Sequence, residues 1–169
     1  MAALIHYFWR LCRLQAVPQD LPPSRGLLAT SLLLYLAVGW LLEYITGDFA
    51  EDSAALITAA GGTAVMVVLI NLLLAVAQKP ERAVQTLTAL AGSQVVIGLV
   101  AWLLHLLLGD VAQGRLILPQ LMLLLWSIAV IAHILRHALS TSLGWGMVAA
   151  MGYLLMSLLL LAPLYQSLA

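Results

Sequence analysis

The chain carries very little charge. Only 8% of its 169 residues are Asp, Glu, Lys or Arg, and 64% are hydrophobic, whereas a soluble domain has roughly 25% charged and about 45–50% apolar residues. A soluble fold of this length leaves too much surface in water to hide that much apolar side chain, so a soluble globular domain is excluded. The single cysteine, Cys12, removes any intramolecular disulfide. Its thiol reads as a small buried or interfacial hydrophobe. Low-complexity tracts, a basic domain and nucleic-acid motifs are missing, and nucleic acid is not an expected partner. Zinc-peptidase, phosphate-loop and dinucleotide signatures are missing too, as is any nucleophile–base pairing. Nothing asks for a cofactor, and the expectation is a protein that is not an enzyme.

What the chain does have is five long apolar stretches, at about 26–46, 54–77, 83–108, 116–138 and 143–163. Each reaches the roughly 20 residues that carry a helix across about 30 Å of hydrocarbon. Helix is forced there, because backbone polar groups in lipid must be satisfied within the segment. The period-two alternation of a membrane barrel is absent. The expected fold is therefore all-α, a polytopic transmembrane bundle of about five spans over residues 26–169. Gly47 follows the first span, and Ser53 is placed to cap the second. Pro80 ends the second span and starts the third, with Glu81 in its first turn. Gly109 and Gly114 bracket the next loop, and Pro119 comes early enough in the fourth helix to be tolerated. Ser140 to Ser142 is so short a connection that the last two spans must form a tight antiparallel hairpin.

Residues 1–25 precede the spans. Leu4, Ile5, Phe8, Leu11 and Cys12 alternate at helical spacing with His6, Arg10 and Arg13. That pattern suits an amphipathic interfacial helix in the headgroup region, with Tyr7 and Trp9 as anchors. A signal peptide would place its positive charge ahead of the apolar run, and here Arg10 and Arg13 interrupt or follow it. Pro18, Pro22 and Pro23 make Val17 to Ser24 an extended linker, with Ser24 as N-cap of the first span.

Alternating spans put Arg10, Arg13, Arg25, Lys79, Arg82 and Arg136 on one side of the membrane and leave Arg115 on the other. Six of the seven basic residues thus share a side, and by the positive-inside rule that side is cytoplasmic. Glu43, Asp48, Glu51, Asp52 and Asp110 fall opposite, against Asp20 and Glu81. The Leu- and Ala-rich spans with short loops point to a bacterial inner membrane, N-terminus in the cytoplasm and C-terminus in the periplasm.

Polar groups inside apolar spans are costly and mark candidate sites. They are Asn71, Gln85, Gln94, His105, Gln120, Ser127, His133 and His137, with Glu43 near a span end. His133 and His137 lie one turn apart, with Trp126 two turns earlier on the same face. A metal would need a third ligand, and His105 is removed in depth by on the order of 20 Å. Two other roles fit. His133, Arg136 and His137 bond to loop carbonyls at the interface, or with Arg10 and Arg13 they form a surface for a lipid headgroup or a protein partner. Asn71, Gln85 and Gln94 suit helix-to-helix hydrogen bonds of ~0.6–2 kcal/mol; with Gln120 they could instead line a hydrated path. Thr88 with Gly92, and Gly146 with Ala150, are small-xxx-small pairs fit for close packing.

Two segments carry a family resemblance. Glu81-Arg82-Ala83-Val84-Gln85-Thr86-Leu87-Thr88-Ala89-Leu90-Ala91 and the run from Trp126 through His133 and His137 to Leu139 resemble bacterial members of the Yip (Ypt-interacting-protein) family. A Gln entering the middle span, a Trp in the fourth, five spans and a cytoplasmic N-terminus are usual there. The resemblance implies a non-catalytic membrane scaffold, adaptor or accessory subunit, because eukaryotic relatives bind small GTPases and shape vesicle membranes. The GTPase contact is not carried over, since the 169 residues do not include those relatives' long cytoplasmic N-terminal region. Expected partners are membrane lipid and other membrane proteins or a second copy of the chain. The alternative is a small transporter or channel acting as an oligomer. A reporter enzyme fused after Ala169 is expected to be active on the periplasmic side; cytoplasmic activity would overturn the orientation.

Overall fold

The computed structural model describes residues 2–46, 52–108 and 117–168. Gly47, Asp48, Glu51, Gly109, Asp110, Gly114 and Arg115 lie outside the described residues. Six helices follow in order: α1 (Ala2–Cys12), α2 (Arg25–Thr46), α3 (Asp52–Val76), α4 (Ala83–Leu108), α5 (Ile117–Leu139) and α6 (Leu143–Leu168). Short 3-10 turns occupy Pro18–Asp20 and Pro80–Arg82. Five of the helices are long and apolar enough to cross a membrane. Their 22 to 26 residues give lengths of about 33–39 Å at 1.5 Å per residue, enough for a slab of about 30 Å.

Two boundaries differ from expectation. α3 is already helical at Asp52, which puts Ser53 inside its first turn instead of at the cap. α6 continues through Pro163 to Leu168. A proline this close to a helix end removes only one backbone donor, and the apolar run beyond it keeps the helix going.

Three helices end alike, without glycine. Leu14, Gln78 and Ser140 take φ of 61°, 57° and 55°. The amide after each one donates back to the end of its helix: Gln15 to Arg10, Lys79 to Leu74, Thr141 to Arg136, at 2.8–2.9 Å. These are left-handed caps that satisfy the last carbonyls, usually supplied by Gly or Asn. Ordinary residues accept the positive φ here at a cost of about 1–2 kcal/mol each.

α2, α4, α5, α6 and α3 follow one another around a closed ring. The starts of α2, α4 and α6 and the ends of α3 and α5 gather at one end, the basic end, which holds Lys79, Arg82 and Arg136. α4 is the spine. From Thr86 to Ser93 every residue is buried, and six of these eight are Thr, Ala, Gly or Ser, small enough for several backbones to converge. Beyond Gly98 the same helix is partly exposed, so the bundle is dense toward the basic end and looser toward the far end.

The α5–α6 hairpin closes on Gly146. A Cβ there would lie 2.6 Å from the carbonyl oxygen of Ala132 and 2.8 Å from the Cβ of Arg136, whereas a Cβ on Gly152 meets nothing within 4 Å. Gly146→Ala presses on backbone that cannot rotate away and is expected to lower stability by about 1–3 kcal/mol. Gly152→Ala should be neutral or stabilising by up to about 1 kcal/mol. Thermal unfolding of the two purified variants checks the contrast.

Candidate functional site

α1 and the linker do not lie apart from the bundle. One face of α1 is pressed against α4: Leu11 and Cys12 are buried, and Phe8 fits so closely over Gly92 that a Cβ there would be 2.2 Å from the phenyl ring. His6, Arg10 and Arg13 lie on the exposed face. The Cys12 Sγ donates to the carbonyl of Ser93 on α4 at 3.6 Å. Trp9 meets Trp126 of α5 edge to face at 6.4 Å.

After Cys12 the chain leaves the α-helix, and the expected extended linker is interrupted by the 3-10 turn at Pro18–Asp20; its carbonyls need donors in a low-dielectric setting. Side chains supply them. Trp126 Nε1 donates to the Cys12 carbonyl at 2.8 Å, and Tyr7 Oη to that of Val17 at 2.5 Å. Burial, aided by the Asp20 charge, pushes the Tyr7 phenol up to about 12, so it remains a donor. His133 Nε2 meets the Ala16 carbonyl at 2.8 Å, which requires the Nε2–H tautomer. Gln85 Nε2 donates to the carbonyls of Gln19 and Leu21 at 3.2 and 2.6 Å. In return the Gln19 amide donates to the carbonyl of His137 at 2.7 Å. The orphan carbonyls that end α5 are capped similarly, His137 and Ala138 by Arg82 at 3.2 and 2.9 Å and Leu139 by Lys79.

Trp126, His133 and His137 therefore form a seam. Cys12, Ala16 and Gln19 lie beside them in the same order, seven linker residues running along eleven residues of helix, about 16 Å. The stripe was visible in the sequence as polar groups on one helix face. What it serves, an extended peptide laid along that face, had no signal of its own.

The sequence-predicted residues separate accordingly. His133 is 4% exposed and lies under the linker. Arg136 and His137 are half-buried, and their Nε and Nε2 atoms are buried without a partner. Arg10 and Arg13 are exposed on α1. Asn71 is exposed and donates to Val67 of its own helix, at 2.7 Å, not to a neighbouring span. Gln85 serves the linker. Of the three amides only Gln94 bridges spans, its Oε1 accepting from Ser127 Oγ at 3.2 Å. Among the described residues no three His, Cys, Asp or Glu side chains converge as metal ligands.

The outer surface of the ring is apolar, with Leu33, Val76, Leu107 and Leu125 all more than half exposed. Apolar faces of five crossing helices imply lipid contact. The chain is an integral membrane protein. Comparison with protein-family models, curated proteins and solved structures gives no match.

A second polar region occupies the looser half. A cavity of about 360 Å³ between α2, α4 and α5 is lined by Tyr35, Glu43, Gln94, Gln120 and Ser127 among apolar side chains. A smaller one, about 190 Å³, shares Tyr35 and Glu43 and is bounded by Thr58 and Tyr165. Tyr165 Oη donates to Glu43 Oε1 at 2.6 Å. Tyr35, Gly39 and Glu43 recur every fourth residue on α2, so one stripe faces both spaces.

Cys12 reports on the docking of α1. Burial pushes its thiol from 9.0 up to about 12. The docked state favours the protonated thiol, so its stability is complete below pH 9 and declines as pH climbs toward 12. Maleimide labelling of the native protein should be slow at neutral pH and rise only above that threshold. His133→Ala with Gln85→Ala removes bonds worth about 1 kcal/mol each and should raise neutral-pH labelling roughly tenfold or more.

Proposed function

We propose that the protein is a non-enzymatic membrane scaffold, an organiser of the Yip type, in the bacterial inner membrane with its basic end in the cytoplasm. One observation carries this reading: the basic amphipathic helix is held part-way up the bundle. Phe8 and Cys12 meet α4 at Gly92 and Ser93, nine and ten residues past its start at Ala83, about 14–15 Å along the axis. Trp126, which holds the Cys12 carbonyl, stands thirteen residues before the end of α5, about 20 Å. A slab of about 30 Å centred on the spans puts the α1 contacts about 10 Å below its cytoplasmic boundary on α4 and about 17 Å below it on α5. His6, Arg10 and Arg13 are exposed at that level. Guanidinium groups there draw water and phosphates inward, and the leaflet thins around them. A wedge that thins one leaflet is a means of bending or sorting a membrane, and a flank for a partner with a similarly short span.

The transporter alternative has less support. It needs a polar path through the bundle, and of the four intramembrane amides only Gln94 and Gln120 share a cavity. The basic half is filled by Leu90, Val130, Ile134 and Leu135, none more than 1% exposed. A space closed at one end binds but does not conduct.

The test is a thickness series. The protein reconstituted in bilayers of short and long acyl chains should be most thermally stable in the thin ones. The triple variant His6→Leu, Arg10→Leu, Arg13→Leu should shift that preference toward thicker bilayers. Equal stability at every thickness, or a triple variant with the same preference, would sink the reading.

A further inference from the structure

Glu43 stands in a membrane span, and the scaffold reading gives it no task. Among the described residues the one ion pair joins Arg82 and Glu81 at the other end of the bundle. Glu43 Oε1 accepts from the Tyr165 hydroxyl, which orients the carboxylate, and no basic side chain among the described residues pairs with it. A carboxylate inside a span end, facing a cavity and with no basic partner among the described residues, marks a candidate site.

The space beside it has the features of a ligand site. The cavity of about 360 Å³ falls within the range of roughly 300–1,000 Å³ that small-molecule pockets occupy. Its walls are mainly apolar, with a few convergent polar groups. Gln120 lies near the level of Glu43; Gln94 and Ser127 lie deeper. From Gln120 to Ser127 is seven residues, about 10 Å of depth. Gln94 spends its oxygen on Ser127, and its Nε2 is buried without a partner. The floor thus offers a hydrogen-bond donor and the upper wall an anion.

We infer that this cavity binds a small organic ammonium ion with an apolar body, Glu43 serving as its counter-charge and Gln94 donating to an acceptor atom where the ligand has one. A bare metal ion fits the donors poorly. A hard cation takes six or more oxygens at short range, and here one carboxylate is followed by Val38, Leu42, Leu123 and Leu124. An anion would meet Glu43 unfavourably. A neutral lipophile would fill the apolar walls but leave the charge unanswered. The site goes beyond the scaffold reading and does not depend on it, because none of its lining residues belongs to α1 and Glu43 stands toward the far end of the bundle.

The experiment is calorimetric titration of the full chain in nanodiscs with benzyltrimethylammonium, empty nanodiscs as the blank. Neopentylbenzene, its neutral isostere, and benzenesulfonate are the comparison probes. Saturable binding of the cation alone is expected. Glu43→Gln keeps an oxygen for Tyr165 and should weaken binding roughly tenfold or more, as loss of one partner of a desolvated charge pair does. Ala101→Phe fills the cavity from α4 and should abolish binding while the melting temperature is retained, which keeps the test decisive if Glu43→Gln fails to fold. No saturable binding, equal binding of neopentylbenzene, or cation binding unchanged in either folded variant overturns the assignment.

Discussion

The structure depends on a demand that bilayers impose on irregular backbone: each buried carbonyl needs a donor, and lipid supplies none. Residues 13–24, broken only by the 3-10 turn at Pro18–Asp20, are the longest stretch outside the α-helices among the described residues, and their 16–21 portion lies against the bundle. Cys12, Ala16, Val17, Gln19 and Leu21 each hand a carbonyl to a side chain. The donors come from α1, α4 and α5, so the linker cannot stay in place unless those helices keep their register. The converse also holds. Gln19 returns a donor to the end of α5, so linker and bundle are mutually dependent.

Small side chains on α4 make that arrangement possible. The run from Thr86 to Ser93 presents almost no bulk, and α1 comes close enough for Phe8 to lie on Gly92. The two threonines of that run differ: Thr86 Oγ1 is buried without a partner. Thr88 bonds to the carbonyl of Val84 within its own helix at 2.7 Å, the usual resort of a hydroxyl in a span. Past Gly98, α4 returns to bulky residues, α1 is no longer beside it, and the space between α2, α4 and α5 stays open around Glu43. Along α4 the packing thus passes from a close-packed stretch at Thr86–Ser93 to the open space around Glu43.

Much of this was legible in the residues, and the illegible parts have physical causes. Span existence follows from apolar runs, and the tight last hairpin from three residues between two spans. Helix ends were harder, because Leu14, Gln78 and Ser140 occupy caps that normally announce themselves with glycine. The amides divided for a reason periodicity does not carry. Asn71, Gln85 and Gln94 are equivalent as polar residues in apolar helices, yet only tertiary placement decides that one faces outward, one meets the linker and one bridges two spans. The His133 stripe was seen, but a peptide laid along it is a non-local contact across 117 positions. Glu43 stands three residues from the end of α2, near a span end as expected, and also lines the cavity. Its spacing with Tyr35 and Gly39 is the signal in the residues that this stripe faces the cavities.

The position of α1 sets two costs against each other. An amphipathic helix free to move rides where its charged face meets headgroups. This one is fixed by the overlap of Phe8 with Gly92 and by five carbonyl bonds worth about 1 kcal/mol each, on the order of 5 kcal/mol together. Thinning a leaflet costs fractions of a kcal/mol per Å of mismatch, so a deformation of about 10 Å comes to a few kcal/mol. Arginine stems that snorkel toward the interface reduce it further. On the proposed reading the bilayer is therefore the softer partner. The headgroups move to α1 before α1 leaves α4, and a local fold contact becomes a deformation felt by every lipid and protein nearby.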